Sequence, residues 1–136
     1  MRRRFVTLMI LIGLPLSTLF VAGAATAQVT SSIEVSSATL VAKGAAVDLL
    51  LTVSCDAGST PFVNLSVTQT AGNKVTQANG TATFTCLGAP QSLTVTATVQ
   101  AGLPALKSSE ALIQGGMQNS DLTFVPIHET LKLTKK

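Results

Sequence analysis

Few residues in this chain have types and spacings suited to catalysis. His128 is the single histidine, and it follows Pro126 in the C-terminal stretch. Nucleophilic catalysis by serine or cysteine needs a histidine base beside the nucleophile, so any such arrangement would have to be built on His128. The six carboxylates are Glu34, Asp48, Asp56, Glu110, Asp121 and Glu129. They show none of the paired spacing that acid/base hydrolysis uses. Asp48 falls at a position expected to face solvent. Asp56 and Asp121 lie in loop-like stretches where calcium is often held, but neither has the Asp-x-Asp spacing of a calcium loop. Zinc would want clustered cysteine and histidine, and Gly115-Gly116 reads as a simple turn, not a phosphate cradle. The side chains therefore point to no enzyme, no metal and no cofactor.

The cysteines read differently. There are two, Cys55 and Cys86, and each closes an alternating apolar run. Their meaning depends on the compartment, and the N-terminus speaks to that. Arg2, Arg3 and Arg4 precede an apolar run over residues 5–16, and Ala25-Thr26-Ala27 has the form of an A-x-A cleavage site. Cleavage between Ala27 and Gln28 is expected, through the general secretory route more than the twin-arginine one. Pro15 and the Ser17-Thr18 pair interrupt the run of about 20 strongly apolar residues that a membrane anchor needs. In an exported chain two cysteines read as one structural disulfide, Cys55–Cys86. The product is expected to be secreted, with no membrane span after cleavage.

Export also changes the charge argument. Once Arg2–Arg4 leave with the signal, the basic residues are Lys43, Lys74, Lys107, Lys132, Lys135 and Lys136, matched by the six carboxylates. The net charge is then zero, so the basic character belongs to the signal and no nucleic-acid partner is implied. The lysines of residues 132–136 read as a solvated, basic tail. The expected organisation is a signal peptide over residues 1–27, one domain over residues 28–127 and a tail over residues 128–136.

The elements that must position these residues are strands. In Val47-Asp-Leu-Leu-Leu-Thr-Val-Ser-Cys55 every second residue is apolar, which turns one face of a strand to a core. Residues 33–41 form a first strand whose phase slips at Ser36-Ser37, the mark of a bulge. Val63, Leu65 and Val67 mark a third strand, and Leu93, Val95, Ala97 and Val99 a fifth. Between them Asn79-Gly80 could be a hairpin turn or a bulge in one long strand, residues 75–86. Antiparallel strands two and four finish at the same end of a domain, so the disulfide is compatible with the long strand. Residues 105–113 and 122–127 read as strands six and seven, with 114–120 a loop and Pro126 confining the seventh to an edge.

Seven short strands without helical periodicity mean an all-β fold, an antiparallel β-sandwich. The runs Leu-Thr-Val-Ser-Cys55, Thr-Phe-Thr-Cys86-Leu-Gly-Ala-Pro90 and Leu93-Thr-Val-Thr-Ala-Thr-Val99 resemble those of small exported immunoglobulin-like domains of bacteria. The resemblance implies an immunoglobulin-like sandwich and transfers no functional residue. Asn64-Leu-Ser66 and Asn79-Gly-Thr81 match the N-glycosylation pattern, which matters only in a eukaryotic source. The threonines at 81, 83, 85, 94, 96 and 98 are expected to form a polar outer face. The function expected is a non-catalytic module that binds an envelope or extracellular protein partner, with a small-ligand carrier holding its cargo between the sheets as the alternative. Oligomeric state is not legible.

Overall fold

The computed structural model describes residues 29–136 of the chain, so the expected signal peptide and its Ala27–Gln28 cleavage site lie outside the described residues. Eight strands follow in order: β1 (Ser32–Val41), β2 (Ala46–Ser54), β3 (Phe62–Ala71), β4 (Lys74–Thr83), β5 (Gln91–Val99), β6 (Glu110–Gln118), β7 (Phe124–Lys132) and β8 (Thr134–Lys135). They join in a single sheet in the order β7-β6-β3-β4-β5-β2-β1-β8. All neighbours are antiparallel except β1 and β8, which run parallel through Thr39–Thr134 and Leu40–Lys135. The fold is thus all-β with mixed pairing, and the sheet curls until it is nearly barrel-shaped. At the seam the Val35 N–H of β1 donates to Glu129 Oε1 of β7 at 3.1 Å.

The alternating pattern maps onto this curl directly. Val47, Leu49, Leu51 and Val53 of β2, Val63, Leu65 and Val67 of β3, and Val95 and Ala97 of β5 are all at most 1% exposed. The interposed residues line the outside, with Leu50 39% exposed. The bulge expected near Ser36 is present, as a shift in the β1–β2 register between Val35 and Ser37. Cys55 and Cys86 form the expected disulfide, with Cα atoms 5.7 Å apart. Backbone bonds from Gly58 N to Cys86 O and from Cys86 N to Ser59 O, each 2.9 Å, tie the same two loops together.

Three expectations need correction. First, β4 does not bulge at Asn79-Gly80, because its register against β3 runs unbroken from Phe62–Thr83 to Ala71–Lys74. The apparent slip came from Val75, which is 53% exposed; the inner face reads Thr76, Ala78, Gly80 and Ala82 in one phase. Gly80 is there because β5 comes too close for a side chain. A Cβ on it would lie 2.7 Å from the Thr96 carbonyl oxygen and 3.0 Å from Ala97 Cα.

Second, β6 begins later and runs further than residues 105–113, passing through Gly115-Gly116 as Glu110–Gln118. Gly115 takes φ +130°, and a Cβ on it would run into the carbonyl oxygen of Asn64 in β3. The glycines serve close strand packing here and make no turn. Third, the chain does not leave the sheet at residue 127. β7 continues to Lys132, Leu133 is wholly buried, and β8 pairs with β1. Burial of Leu133 between β7 and the two-residue β8 holds the end of the chain against the core.

Candidate functional site

Strand direction decides where the charges go. β1, β3, β5 and β7 run one way and β2, β4 and β6 the other, so every connection that follows an odd-numbered strand emerges at one end. Lys43 lies between β1 and β2, Lys74 opens β4 after the β3–β4 turn, and Lys107 precedes β6. Lys132 closes β7, and Lys135 and Lys136 come with β8. All six lysines of residues 29–136 therefore stand at one end of the barrel, and all are exposed. Two carboxylates lie near them, Glu110 at the start of β6 and Asp48 two residues into β2, opposite Thr39. The opposite end carries the disulfide together with Asp56 and Asp121. Residues 29–136, with six lysines and six carboxylates, are in this way strongly polarised along the strands.

At the lysine-bearing end a cleft of about 910 Å³ opens between two segments. One wall is Leu40 to Gly44, the other Leu106 to Ser108, and Lys135 and Lys136 close it. Four of the six lysines thus line one cleft whose base is apolar, with Leu40 and Leu106 at 8% and 3% exposure. The first wall is a left-handed turn, with φ of +48°, +56° and +87° at Ala42, Lys43 and Gly44. The two walls are joined by a backbone bond from Leu106 N to Gly44 O at 2.8 Å.

The second wall is held from beneath by the two buried polar residues of the core. Gln69 of β3 is 3% exposed and Thr76 of β4 is 4% exposed. The Gln69 amide donates to Lys107 O and to Ser109 Oγ, at 2.9 and 2.8 Å, and accepts from Lys107 N at 2.7 Å. The Thr76 hydroxyl donates to Pro104 O at 2.8 Å. Buried polar groups are costly unless bonded, so both are used to hold one irregular segment, residues 104–109, against the sheet.

A second cleft, of about 480 Å³, lies at the disulfide end and includes Asp56, Ser59, Asn119, Asp121 and Thr123. It brings together the two loop carboxylates that the sequence considered separately. The Asp121 carboxylate accepts from the Thr123 hydroxyl at 2.6 Å and from the Thr123 N–H at 3.0 Å. Those bonds, the hydroxyl's first, hold its pKa below the ordinary carboxylate value. Among the described residues no group of three or more His, Cys, Asp or Glu side chains could hold a metal ion.

The remaining candidates are scattered. His128 is exposed on β7 and meets Gln114 of β6 through Nδ1 at 3.1 Å, apart from both clefts. Asp48 accepts from the Thr96 hydroxyl across the β2–β5 pair at 2.6 Å. Glu129 lies at the β1–β7 seam, and Glu34 is exposed on β1. The threonines at 81, 83, 85, 94, 96 and 98 do face outward. Asn64 and Asn79 are exposed on the outer face, where with Phe124 they border a shallow groove of about 370 Å³.

The clustering of lysines was missed in the sequence because they are spread over 94 positions. The signal was present: in an up-and-down chain, each falls in a connection or terminus of the same parity. Comparison of the chain with protein-family models, with curated proteins and with solved structures finds no match to any of them.

Proposed function

We propose that this chain is an exported, non-catalytic binding module that engages an envelope or extracellular protein partner through its lysine-bearing end. The observation that carries the reading is the gathering of all six lysines of residues 29–136 at one end, four of them around a single cleft. Like charges crowded together repel, and a neutral chain has no need to collect them unless something anionic offsets the repulsion. An immunoglobulin-like arrangement fits the sheet as well. β4 and β5 pair through two residue pairs only, which is compatible with a division of the sheet into β7-β6-β3-β4 and β5-β2-β1-β8. Loops at one end of such a scaffold are its usual working surface. The interior is filled by Leu49, Leu51, Leu65, Ile113 and Met117, each under 2% exposed, which favours the module over a carrier with cargo in the core.

The test is expression of the full chain in a secreting bacterial host. The exported species is expected to start at Gln28 and to weigh two hydrogens less before reduction than after. It should associate with envelope fractions at low ionic strength and be released as salt is raised, while a variant carrying K43E, K107E and K135E should remain in the medium throughout. Full-length material with residues 1–27 attached would overturn export. Equal partitioning of the two proteins would overturn the lysine end as the binding surface.

A further inference from the structure

Resting on that reading of the lysine-bearing end, we propose that its cleft takes an extended acidic peptide segment, added as a strand along the open edge of β8. β8 is the last strand in the sheet order and pairs on one side only, with β1. Thr134 is fixed to that neighbour by its hydroxyl, which donates to Ala38 O at 3.1 Å. The N–H and C=O of Leu133, just before β8, are taken by Ser109 O and the Ser108 hydroxyl at 2.9 and 3.0 Å, but beyond it the other side of β8 has no strand partner among the described residues. Such an edge recruits an extended chain through main-chain hydrogen bonds. Lys135 lines the cleft, so the edge and the ammonium groups belong to one surface.

The charge around this edge selects the peptide. Lys43 stands on one wall and Lys107 on the other, with Lys135 and Lys136 between them. An extended strand turns successive side chains to opposite sides. A run of consecutive Asp or Glu residues would therefore present carboxylates to both walls at once. Residues 29–136 contain no arginine, whose planar fork fixes a single oxyanion bidentately. Lysines act as mobile point charges, suited to a row of carboxylates in no fixed geometry. The walls are formed in advance, by the Gly44–Leu106 backbone bond and by the grip of Gln69 on Lys107. Little ordering is then required when the peptide arrives.

The test uses the mature chain and three fluorescent probes: an oligoglutamate peptide of about eight residues, long enough to span some 25 Å when extended, inorganic polyphosphate of matched charge, and vesicles rich in phosphatidylglycerol. Oligoglutamate is expected to bind at low salt and to protect the backbone amides near Thr134 and Lys135 from hydrogen exchange. K107E/K135E should weaken it by about ten-fold or more, as loss of two partly shielded charge pairs implies. K74E/K132E, which alters the same end outside the cleft, should weaken it less. Methylating alternate backbone nitrogens of the peptide leaves its charge intact and should cost as much as the cleft mutations.

Undiminished binding of the methylated peptide would overturn strand addition, and equal loss in the two lysine pairs would overturn the cleft. Binding of polyphosphate or vesicles in preference to oligoglutamate would overturn the acidic-peptide assignment while leaving the lysine-bearing end as a binding surface. Failure of all three probes, together with salt-independent partitioning of the exported protein, would overturn both. Circular dichroism of each variant separates lost binding from lost fold.

Discussion

The side-chain amide of Gln69 hydrogen-bonds both backbone groups of Lys107, accepting from its N–H at 2.7 Å and donating to its C=O at 2.9 Å. The segment around Lys107 is irregular, yet this pairing imitates one rung of a strand ladder and needs only one side chain to do so. The lysine is thereby presented outward from a fixed backbone. Removing the amide would leave two main-chain groups of a part-buried segment without partners.

Gln69→Leu is accordingly expected to cost about 1–3 kcal/mol, the range for stranding buried polar groups. Hydrogen exchange should accelerate at the Lys107 amide well before it does in β2 or β5. A urea midpoint unchanged from the parent, with slow exchange retained at Lys107, would show that the loop is held by other means.

Gly80 sets the distance between β4 and β5, whose ladder has only the pairs Ala78–Val99 and Asn79–Thr98, extended by the Gln100 N–H donating to Gln77 O. With the Thr96 carbonyl and Ala97 Cα in the way, Gly80→Val must push the two strands apart. Overpacking of this kind costs about 1–3 kcal/mol, and backbone obstruction places it toward the top of that range. Exchange at the Gln100 amide, which donates to Gln77 O of β4 at 3.0 Å, followed in the variant by NMR, reports whether the link has opened.

Cys55 and Cys86 are 31 positions apart. The chain-entropy model assigns about 3–4 kcal/mol to closing a loop of that length. The double substitution C55A/C86A should lower the denaturation midpoint by a corresponding amount while keeping the strand signature in circular dichroism. A loss well below about 1 kcal/mol would mean that the backbone bonds between Gly58, Ser59 and Cys86 already hold these loops in the unbridged chain.

Asp121 titrates with its loop. The Thr123 hydroxyl and N–H favour its ionised form, so its pKa in the folded state is lower than in the unfolded one. A carboxyl depressed in this way contributes stability that is present above the unfolded pKa of about 4 and lost as pH falls through the folded value. The turn over residues 119–123 is therefore expected to loosen only in strong acid, and Asp121→Asn should remove that step. Carbon-detected NMR titration measures this directly, and a midpoint at or above the ordinary aspartate value would contradict it.

Much of the fold was legible where side-chain alternation matched the pleat. The runs ending at Cys55 and Val99 became β2 and β5 with little change, because every second residue is apolar and nothing interrupts the phase. The cysteine pair was legible on other grounds, as the two cysteines of a chain expected to be exported, and the structure joins them just beyond the ends of β2 and β4. The phase of β4 was not, because its inner face is built of Thr76, Ala78 and Gly80, which carry little hydrophobic signal, while the exposed Val75 carries a misleading one. Gly115-Gly116 looked like a turn because composition cannot distinguish a glycine that bends the chain from one that admits a neighbouring backbone.

By itself, then, the sequence determined an all-β chain with one disulfide, because strand periodicity and cysteine placement are local properties that survive in one dimension. Only the tertiary structure decided that the strands close into a single curled sheet, that Leu133 is buried and anchors the C-terminal segment, and that six lysines spread along the chain share one end. Those outcomes depend on which strand pairs with which and in what direction. Pairing is a contest between distant segments for the same edges and the same core, and no stretch of residues read alone records its result.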